Sequence, residues 1–532
     1  MEKSAPAATG EAQEGGNYSF GYEDNLPDEL KKGFTPFDKK DMHRMGKKQE
    51  FRRNFKMVSA IGFTTCVMGT WEIALTSNNA ALTAGGKAGY FWSLVWCAIG
   101  QAFIVLSIAE MASMAPTAGG QYHWVSEFAP PRIQKSLSYI SGWLSTICWQ
   151  SIIAAGCWVI GNIILALASI NNVDFAPTLW QATLIIFAVV IAISLFNIFA
   201  AKQLPLAEGL FALFHILAWF PIVITLLVLS PKDSGRNVFL TFTDNGAGWP
   251  NLGWGAFVGQ VSAMWTLIAS DSVAHMSEEV ENASVIVPRS MVIAYALNVP
   301  FAFGIILTYL FCLDSIDDAV TDPTGFAFIY VFKKATNSAG GASGLTVIIL
   351  VLMVMITISS LASTSRQTFA FARDKGLPFH NWLGHVHPRL HVPVNSIIFS
   401  CTYTILISLI NVGSTVAFFA IVSLGTSALM ATYLISIGCV AYRRFTGMPL
   451  PKARWSLGKW GIVVNYLGII YASWALFWGF WPTFKGVTPE NFNWAVVLFV
   501  GLMLIAAILY FVQARHVYEG PVSTVEGRRR DE

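Results

Sequence analysis

Twelve long apolar runs constrain this chain more than any other feature. They lie at about 57–84, 89–114, 137–168, 178–199, 206–229, 254–276, 289–313, 345–371, 394–411, 414–440, 461–481 and 493–513. A helix of roughly 20 apolar residues crosses the hydrocarbon core of a bilayer. In lipid each backbone N–H and C=O must find its partner within the protein, so runs of this length form helices. The expected fold is an all-α integral membrane protein of about twelve transmembrane helices. The ninth and tenth runs are parted only by the turn Asn411-Val412-Gly413-Ser414.

Composition points the same way. Of 532 residues, 54% are hydrophobic and only 12% charged, against about a quarter charged in ordinary soluble domains. The seven cysteines lie within or at the ends of apolar runs with no paired spacing, as small apolar fillers do. The segment before the first run has no apolar core of a signal peptide, so the first helix serves for insertion.

Lys and Arg in short loops set orientation. Lys39, Lys40, Arg44, Lys47, Lys48, Arg52, Arg53 and Lys56 precede the first run, and the even-numbered runs end in further basic loops. The opposite loops are poorer in basic residues, Lys333 and Lys334 excepted, and one carries Asp314, Asp317, Asp318 and Asp322. Both termini are expected in the cytoplasm, where the sequons at Asn17 and Asn282 escape glycosylation. Residues 1–56 read as a largely disordered tail, 57–513 as the transmembrane domain and 514–532 as a second tail. The apolar patch Phe326 to Phe332 predicts a short helix lying at the outer surface.

Ionisable groups at bilayer depth are expensive and mark function by default. Glu72 lies in the first run, after Thr65-Cys66-Val67-Met68-Gly69-Thr70-Trp71, a stretch suited to an unwound helix. Its carboxylate could hold an ammonium group, with Trp71 adding a cation–π face; its alternative is a hydrogen bond to a neighbouring helix. Asp271 lies in Ala269-Ser270-Asp271-Ser272 of the sixth run, either as the cap of a half-helix or as a proton- or substrate-sensing group. His215, midway along the fifth run, is a natural proton-coupling group or a packing residue. The cluster His385 to His391 has no cysteine, is interrupted by Pro388 and lies in a basic loop, which argues against a metal site. No nucleophile elbow, phosphate-binding loop or zinc-protease motif is present, so neither an enzyme nor a cofactor is expected.

Three motifs occur in order: Pro116-Thr117-Ala118-Gly119-Gly120-Gln121-Tyr122-His123-Trp124; Ser277-Glu278-Glu279-Val280 with Val287-Pro288-Arg289-Ser290; and Ser365-Arg366-Gln367-Thr368-Phe369-Ala370-Phe371-Ala372-Arg373-Asp374-Lys375-Gly376-Leu377-Pro378, followed by Val392-Pro393-Val394-Asn395. Together with Thr70-Trp71-Glu72, they resemble the amino acid–polyamine–organocation superfamily, and within it the fungal amino acid/choline branch that includes GABA and choline permeases. The resemblance spans roughly 55–515. It implies an inverted repeat of helices 1–5 and 6–10, with 11 and 12 outside it. It also implies substrate binding between discontinuous helices 1 and 6, at Thr65, Cys66, Val67, Met68 and Gly69 and at Ile268, Ala269, Ser270 and Asp271. Glu72 would meet an amine, and Trp265 would act as a gate. With no glycine beyond Gly259 in the sixth run, Ser270-Asp271-Ser272 is expected to make the second break. His215 falls where some relatives carry a lysine in place of a bound sodium ion, which favours proton coupling. Gly119-Gly120 are expected to permit a tight loop, and Glu110, Glu279, Arg366, Arg373 and Asp374 to form inner-gate ion pairs or helix-end contacts.

The expected function is secondary active transport of an amino acid or related amine such as GABA, by proton symport across the plasma membrane. The alternatives are a choline, organic-cation or polyamine permease, or a nontransporting sensor. The expected partners are that small substrate and the lipid bilayer, with no nucleic acid.

Overall fold

The computed structural model describes residues 26–172, 174–413, 415–489, 491–521 and 525. Among them the regular elements are helical, apart from one isolated bridge between Phe55 and Val280. The spans are Met57–Met68 with Thr70–Thr76 (span 1), Asn79–Met114 (2), Gln134–Asn171 (3), Leu179–Phe199 (4), Leu204–Leu229 (5), Leu252–Gly259 with Val261–Leu267 and Ser272–His275 (6), Ala283–Cys312 (7), Ala339–Arg373 (8), Val394–Gly413 (9), Thr415–Thr446 (10), Gly461–Gly479 (11) and Ala495–Leu509 (12). Among the described residues eleven helices, with span 1 taken whole across its break, are long and apolar enough to cross a membrane; the pieces of span 6 are each too short to count. Span 2 packs on 7, span 3 on 8 and span 4 on 9, each against the span five places on. Spans 1 and 6 are the two that break, as an inverted repeat requires.

The first run divides earlier than hydropathy indicates. Its helix ends at Thr76, and the residues from Asn79 onward belong to span 2, which kinks at Gly86. A two-residue turn between apolar helices barely changes a hydropathy average. Spans 5 and 12 are the least enclosed, with exposed Leu210, Leu213 and Leu217 on one and Leu504, Ile508 and Val512 on the other. Such surface belongs against acyl chains.

Both breaks are built from particular residues. Gly69 closes the first half of span 1 in a left-handed conformation (φ 43°), and a Cβ there would lie 2.3 Å from Ile356 Cδ1. Asn298 of span 7 reaches into the break. Its side-chain carbonyl accepts from the Thr70 hydroxyl at 2.6 Å, and its amide donates to the Thr65 carbonyl at 3.4 Å. In span 6 the break falls earlier than expected on Ser270-Asp271-Ser272. Ile268 is extended and Ala269 takes the left-handed turn at φ 69°. With no glycine available an alanine carries this conformation, which side chains with a Cβ rarely adopt.

The stretch 26–56, expected to be disordered, is folded across the end that carries both termini. Thr35 caps helix Pro36–Arg44, and Met42, Met45, Phe51 and Phe55 are buried. Asp38 accepts the Asn282 and Ala283 N–H groups at the start of span 7, while buried Arg53 donates to the carbonyls of Ser277 and Val280. The stretch reads as polar because its charges are spent on partners distant in sequence. At the other terminus Tyr518 is also buried, its hydroxyl 2.7 Å from that of Ser138. Residues 1–25, with the Asn17 sequon, and residues 522–524 and 526–532 lie outside the described residues. The patch at 326–332 falls in helix Ala327–Thr336, but its Phe328, Ile329, Val331 and Phe332 are buried against the spans.

A lattice of ion pairs closes the end bearing the termini. Arg366 pairs with Glu279 at 2.7 Å, Arg373 holds Glu278 through both terminal nitrogens, Lys47 pairs with Asp374, Arg44 with Glu127, and Arg444 with Glu110 at 2.6 Å. Burial alone would raise the Glu278 carboxyl, but the Arg373 charge and bonds outweigh it and hold the group below its ordinary value. Asp374 is lowered in the same way by Lys47 and Arg373.

Three outcomes follow from this architecture. Gly69→Ala should cost more than about 1 kcal/mol, since a Cβ is forced into a left-handed position, read as a lower thermal unfolding midpoint. Arg373→Ala strands the buried Glu278 carboxylate and should cost about 3–5 kcal/mol by the same measurement. The depressed carboxylates stabilise the fold above the ordinary carboxylate range; that contribution should be lost as pH falls below roughly 4 and through their folded values. A midpoint independent of pH between neutrality and roughly 3 would contradict this assignment.

Candidate functional site

The two breaks open onto one cavity of about 530 Å³, within the range that holds a small organic ligand. Val67 and Met68 of span 1 and Ile268 and Ala269 of span 6 form its inner wall. Spans 3 and 8 add Ile152, Gly156, Trp158, Met353 and Ile356, and half-buried Trp265 lies one turn before the span 6 break. At the end away from the termini the wall is Phe326 and the loop carrying Trp481, Phe484, Phe492 and Trp494. Among the described residues, none that lines it is Asp, Glu, Lys, Arg or His. The polar wall consists of hydroxyls and amides, among them Thr76, Ser77, Ser262, Ser360 and Thr426. Backbone groups released from helical pairing at the breaks add to it.

The candidate residues fall into two groups. Val67, Met68, Trp265, Ile268 and Ala269 line the cavity; Thr65, Cys66, Gly69, Trp71, Glu72, Ser270 and Asp271 do not. Glu72 and Trp71 point instead toward span 5. The Glu72 carboxylate is fully buried with its Oε1 2.6 Å from His215 Nδ1, and the Trp71 and His215 ring centroids are 5.8 Å apart. The structure thus joins two residues that the sequence offers separately, 143 positions apart. The second Glu72 oxygen and His215 Nε2 bond no described protein atom.

Asp271 occupies the N-cap position of Ser272–His275 but makes no side-chain cap bond. Its oxygens accept instead from the Tyr433 hydroxyl at 2.6 Å and from the Gln121 amide. Gln121 lies in the first sequence motif but carried no assigned role there, and Tyr433 did not stand out, since a tyrosine in an apolar run is ordinary. Glu208 was also missed. It is fully buried on span 5, seven residues before His215, with its Oε1 accepting from the Ser359 hydroxyl at 2.6 Å. Its sequence signal is a carboxylate inside an apolar run, close to the run's start at 206.

Among the described residues no group of three or more His, Cys, Asp or Glu side chains is arranged to hold a metal ion.

The comparisons agree with this architecture. The family model described as amino acid permease matches residues 55–502. A Macrophomina phaseolina protein named for amino acid/polyamine transport is 30% identical over 82% of this chain and 96% of its own. Amino-acid permease 2 of Neurospora crassa is 26% identical over 91% of this chain and 89% of its own. The choline transporter of Saccharomyces cerevisiae is 25% identical over 85% and 79%. The crystal structure of MhsT in complex with L-phenylalanine shares the fold, with a TM-score of 0.57 at 16% identity, over 79% of this chain and 97% of that one. With a cavity between two broken spans and a family match over most of its length, the chain belongs to the amino acid permease family and is a membrane transporter rather than an enzyme.

Proposed function

We propose that this transporter is a proton symporter that imports a small zwitterionic amino acid, with GABA the first to test. In this reading it works in the plasma membrane with both termini in the cytoplasm. The observation that carries the reading is a cavity wall whose described residues bear no ionisable side chain, formed where two spans release backbone groups. Helix ends suit both charges of a zwitterion: N–H groups and the positive dipole end attract a carboxylate, and free carbonyls accept from an ammonium. A polyamine would bring a second ammonium to a wall whose described residues include no carboxylate. The cavity is lined by the loops away from the termini, while ion pairs close the other end, which fits a carrier waiting for substrate from outside.

Choline is the second reading. It is favoured by the aromatic wall of Trp158, Trp265, Phe326 and Trp481, since such rings attract quaternary amines. Against it, Glu72 is engaged by His215 rather than facing the cavity. The proposed proton coupling rests on that buried pair, because imidazole titrates near neutrality and a change of proton number there changes the charge behind the span 1 break.

Radiolabelled uptake in yeast lacking its own GABA and choline permeases should show GABA entering faster at acidic than at neutral pH. Uptake of choline alone would reverse the order of the two readings. In the same cells Glu72→Gln should reduce uptake at least about tenfold at unchanged membrane abundance, the scale of a lost charged hydrogen bond. His215→Ala should flatten the pH dependence, and an unaltered profile would remove His215 from the coupling.

A further inference from the structure

The loop at 116–121 follows span 2 on the side of the ion-pair lattice, and it grips span 6 beyond its break at three points. The Gln121 amide donates to Asp271. His275 Nδ1 lies 2.9 Å from the Ala118 carbonyl and donates to it. The Ala118 N–H donates to Glu278 Oε1 at 3.3 Å, with the Thr117 hydroxyl at 3.5 Å from the same oxygen. Asp271, His275 and Glu278 are spaced by four and three residues, one face of a helix, although the helix is irregular there. All three are buried, as are Ala118 and Gln121. Gly120 takes φ 54°, and a Cβ on it would lie 2.9 Å from His275 Cε1. Its lack of a side chain is therefore needed for the contact with span 6 as well as for the turn.

The two ends of this contact differ in kind. Asp271 is two residues from Ala269, which lines the cavity. Glu278 is the carboxylate that Arg373 holds from span 8. From the opposite side the Tyr433 hydroxyl of span 10 fixes the other Asp271 oxygen at 2.6 Å. Asp271 thus accepts from neutral donors of two other elements at its two oxygens, with His275 Nε2 3.8 Å from Oδ2, and it does not itself line the cavity.

We infer that Gln121 and Tyr433 are positioning residues that set the span 6 break through Asp271, and that the loop at 116–121 couples the cavity to the Arg373–Glu278 ion pair. Ligand entering beside Ala269 displaces Asp271; the loop follows because Gln121 and Ala118 are bonded to the same half of span 6; and the Ala118–Glu278 bond carries the displacement to the ion pair. The inference deepens the transport reading, and its first test does not depend on the substrate.

Hydrogen–deuterium exchange on the full chain in lipid nanodiscs provides that test. Tyr433→Phe removes one bond to Asp271 from a span distant from the loop. The expected result is exchange about ten- to hundredfold faster in both 115–121 and 272–280, the scale of a hydrogen bond to a charged group. Faster exchange confined to 269–273, with 115–121 unchanged, would overturn the coupling. Should Tyr433→Phe fail to fold, Gln121→Leu should accelerate 277–280, and unchanged exchange there would overturn it equally.

The second test separates positioning from substrate contact. Asp271→Asn keeps an oxygen acceptor and an amide that can pair with Gln121 and Tyr433, whereas Asp271→Leu keeps neither. Positioning predicts that the Asn variant recovers at least about tenfold of the GABA uptake lost in the Leu variant. Equal loss in both would mean that the charge itself acts on substrate or proton. If the unaltered protein carries no GABA, the transport reading fails while the exchange experiment still decides the coupling.

Discussion

A backbone that leaves its helix inside a bilayer has no water to take up the freed N–H and C=O groups, and each unsatisfied group costs several kcal/mol. The two breaks are the places where this chain meets that demand, and the rest of the structure is arranged around them. Span 1 is supported by Asn298, which bonds on both sides of Gly69. Span 6 is supported by Asp271, held between Gln121 and Tyr433. These supports come from spans 7 and 10 and from the loop after span 2, so neither break is stable without the assembled bundle. The cavity forms where it does because the breaks lie side by side and release polar backbone into an otherwise apolar interior.

The two ends of the molecule are built on different physics. Toward the termini the closure is ionic, with buried guanidinium and ammonium groups on buried carboxylates. Such pairs do little for net stability, because the desolvation penalty offsets much of the attraction. That balance suits a gate: when water enters, hydration replaces the attraction and opening costs little. Away from the termini the wall is aromatic and amide-bearing, with Phe326, Trp481 and Trp494 around the cavity. Aromatic surfaces can slide over a ligand without breaking a charged contact. One ionic and one aromatic end respond to different events, which alternating access requires.

Hydropathy made the bundle legible because bilayer thickness imposes one length on every span. Even the broken span 6 showed as an apolar run, since a break changes backbone conformation without changing composition. What remained hidden were the contacts that cross the fold. Ala269 as the left-handed residue could not be inferred from its side chain; the surrounding bundle enforces it. The pairing of Glu72 with His215 depends on how spans 1 and 5 are rotated, and a span apolar around much of its circumference carries little information about rotation. The stretch 26–56 was misread for a related reason: charge density signals disorder only when the charges remain in water, and here Asp38 and Arg53 are buried together. The motifs, by contrast, named Glu110, Glu279, Arg366, Arg373 and Asp374 for ion pairs or helix-end contacts without naming partners, and the fold supplies these: Arg366 with Glu279, Arg373 with Glu278, Lys47 with Asp374 and Arg444 with Glu110.

Three buried carboxylates flank the breaks, and their partners distinguish them. Asp271 is held by two neutral donors, and Glu208 by a single hydroxyl. Glu72 alone among the three has a titratable partner within hydrogen-bond distance, the imidazole of His215. A carboxylate with only neutral donors must take or lose its proton alone, which at this depth means creating or removing an isolated charge. A carboxylate–imidazole pair can exchange a proton internally, and the charge it presents remains close to neutral for one of its states. Under the proposed proton symport, the Glu72–His215 pair is the place for the proton, since its imidazole lies at hydrogen-bond distance whereas that of His275 lies 3.8 Å from Asp271. It also adjoins Thr70, whose hydroxyl bond to Asn298 fixes the break, so a change in its charge acts directly on the backbone that borders the cavity.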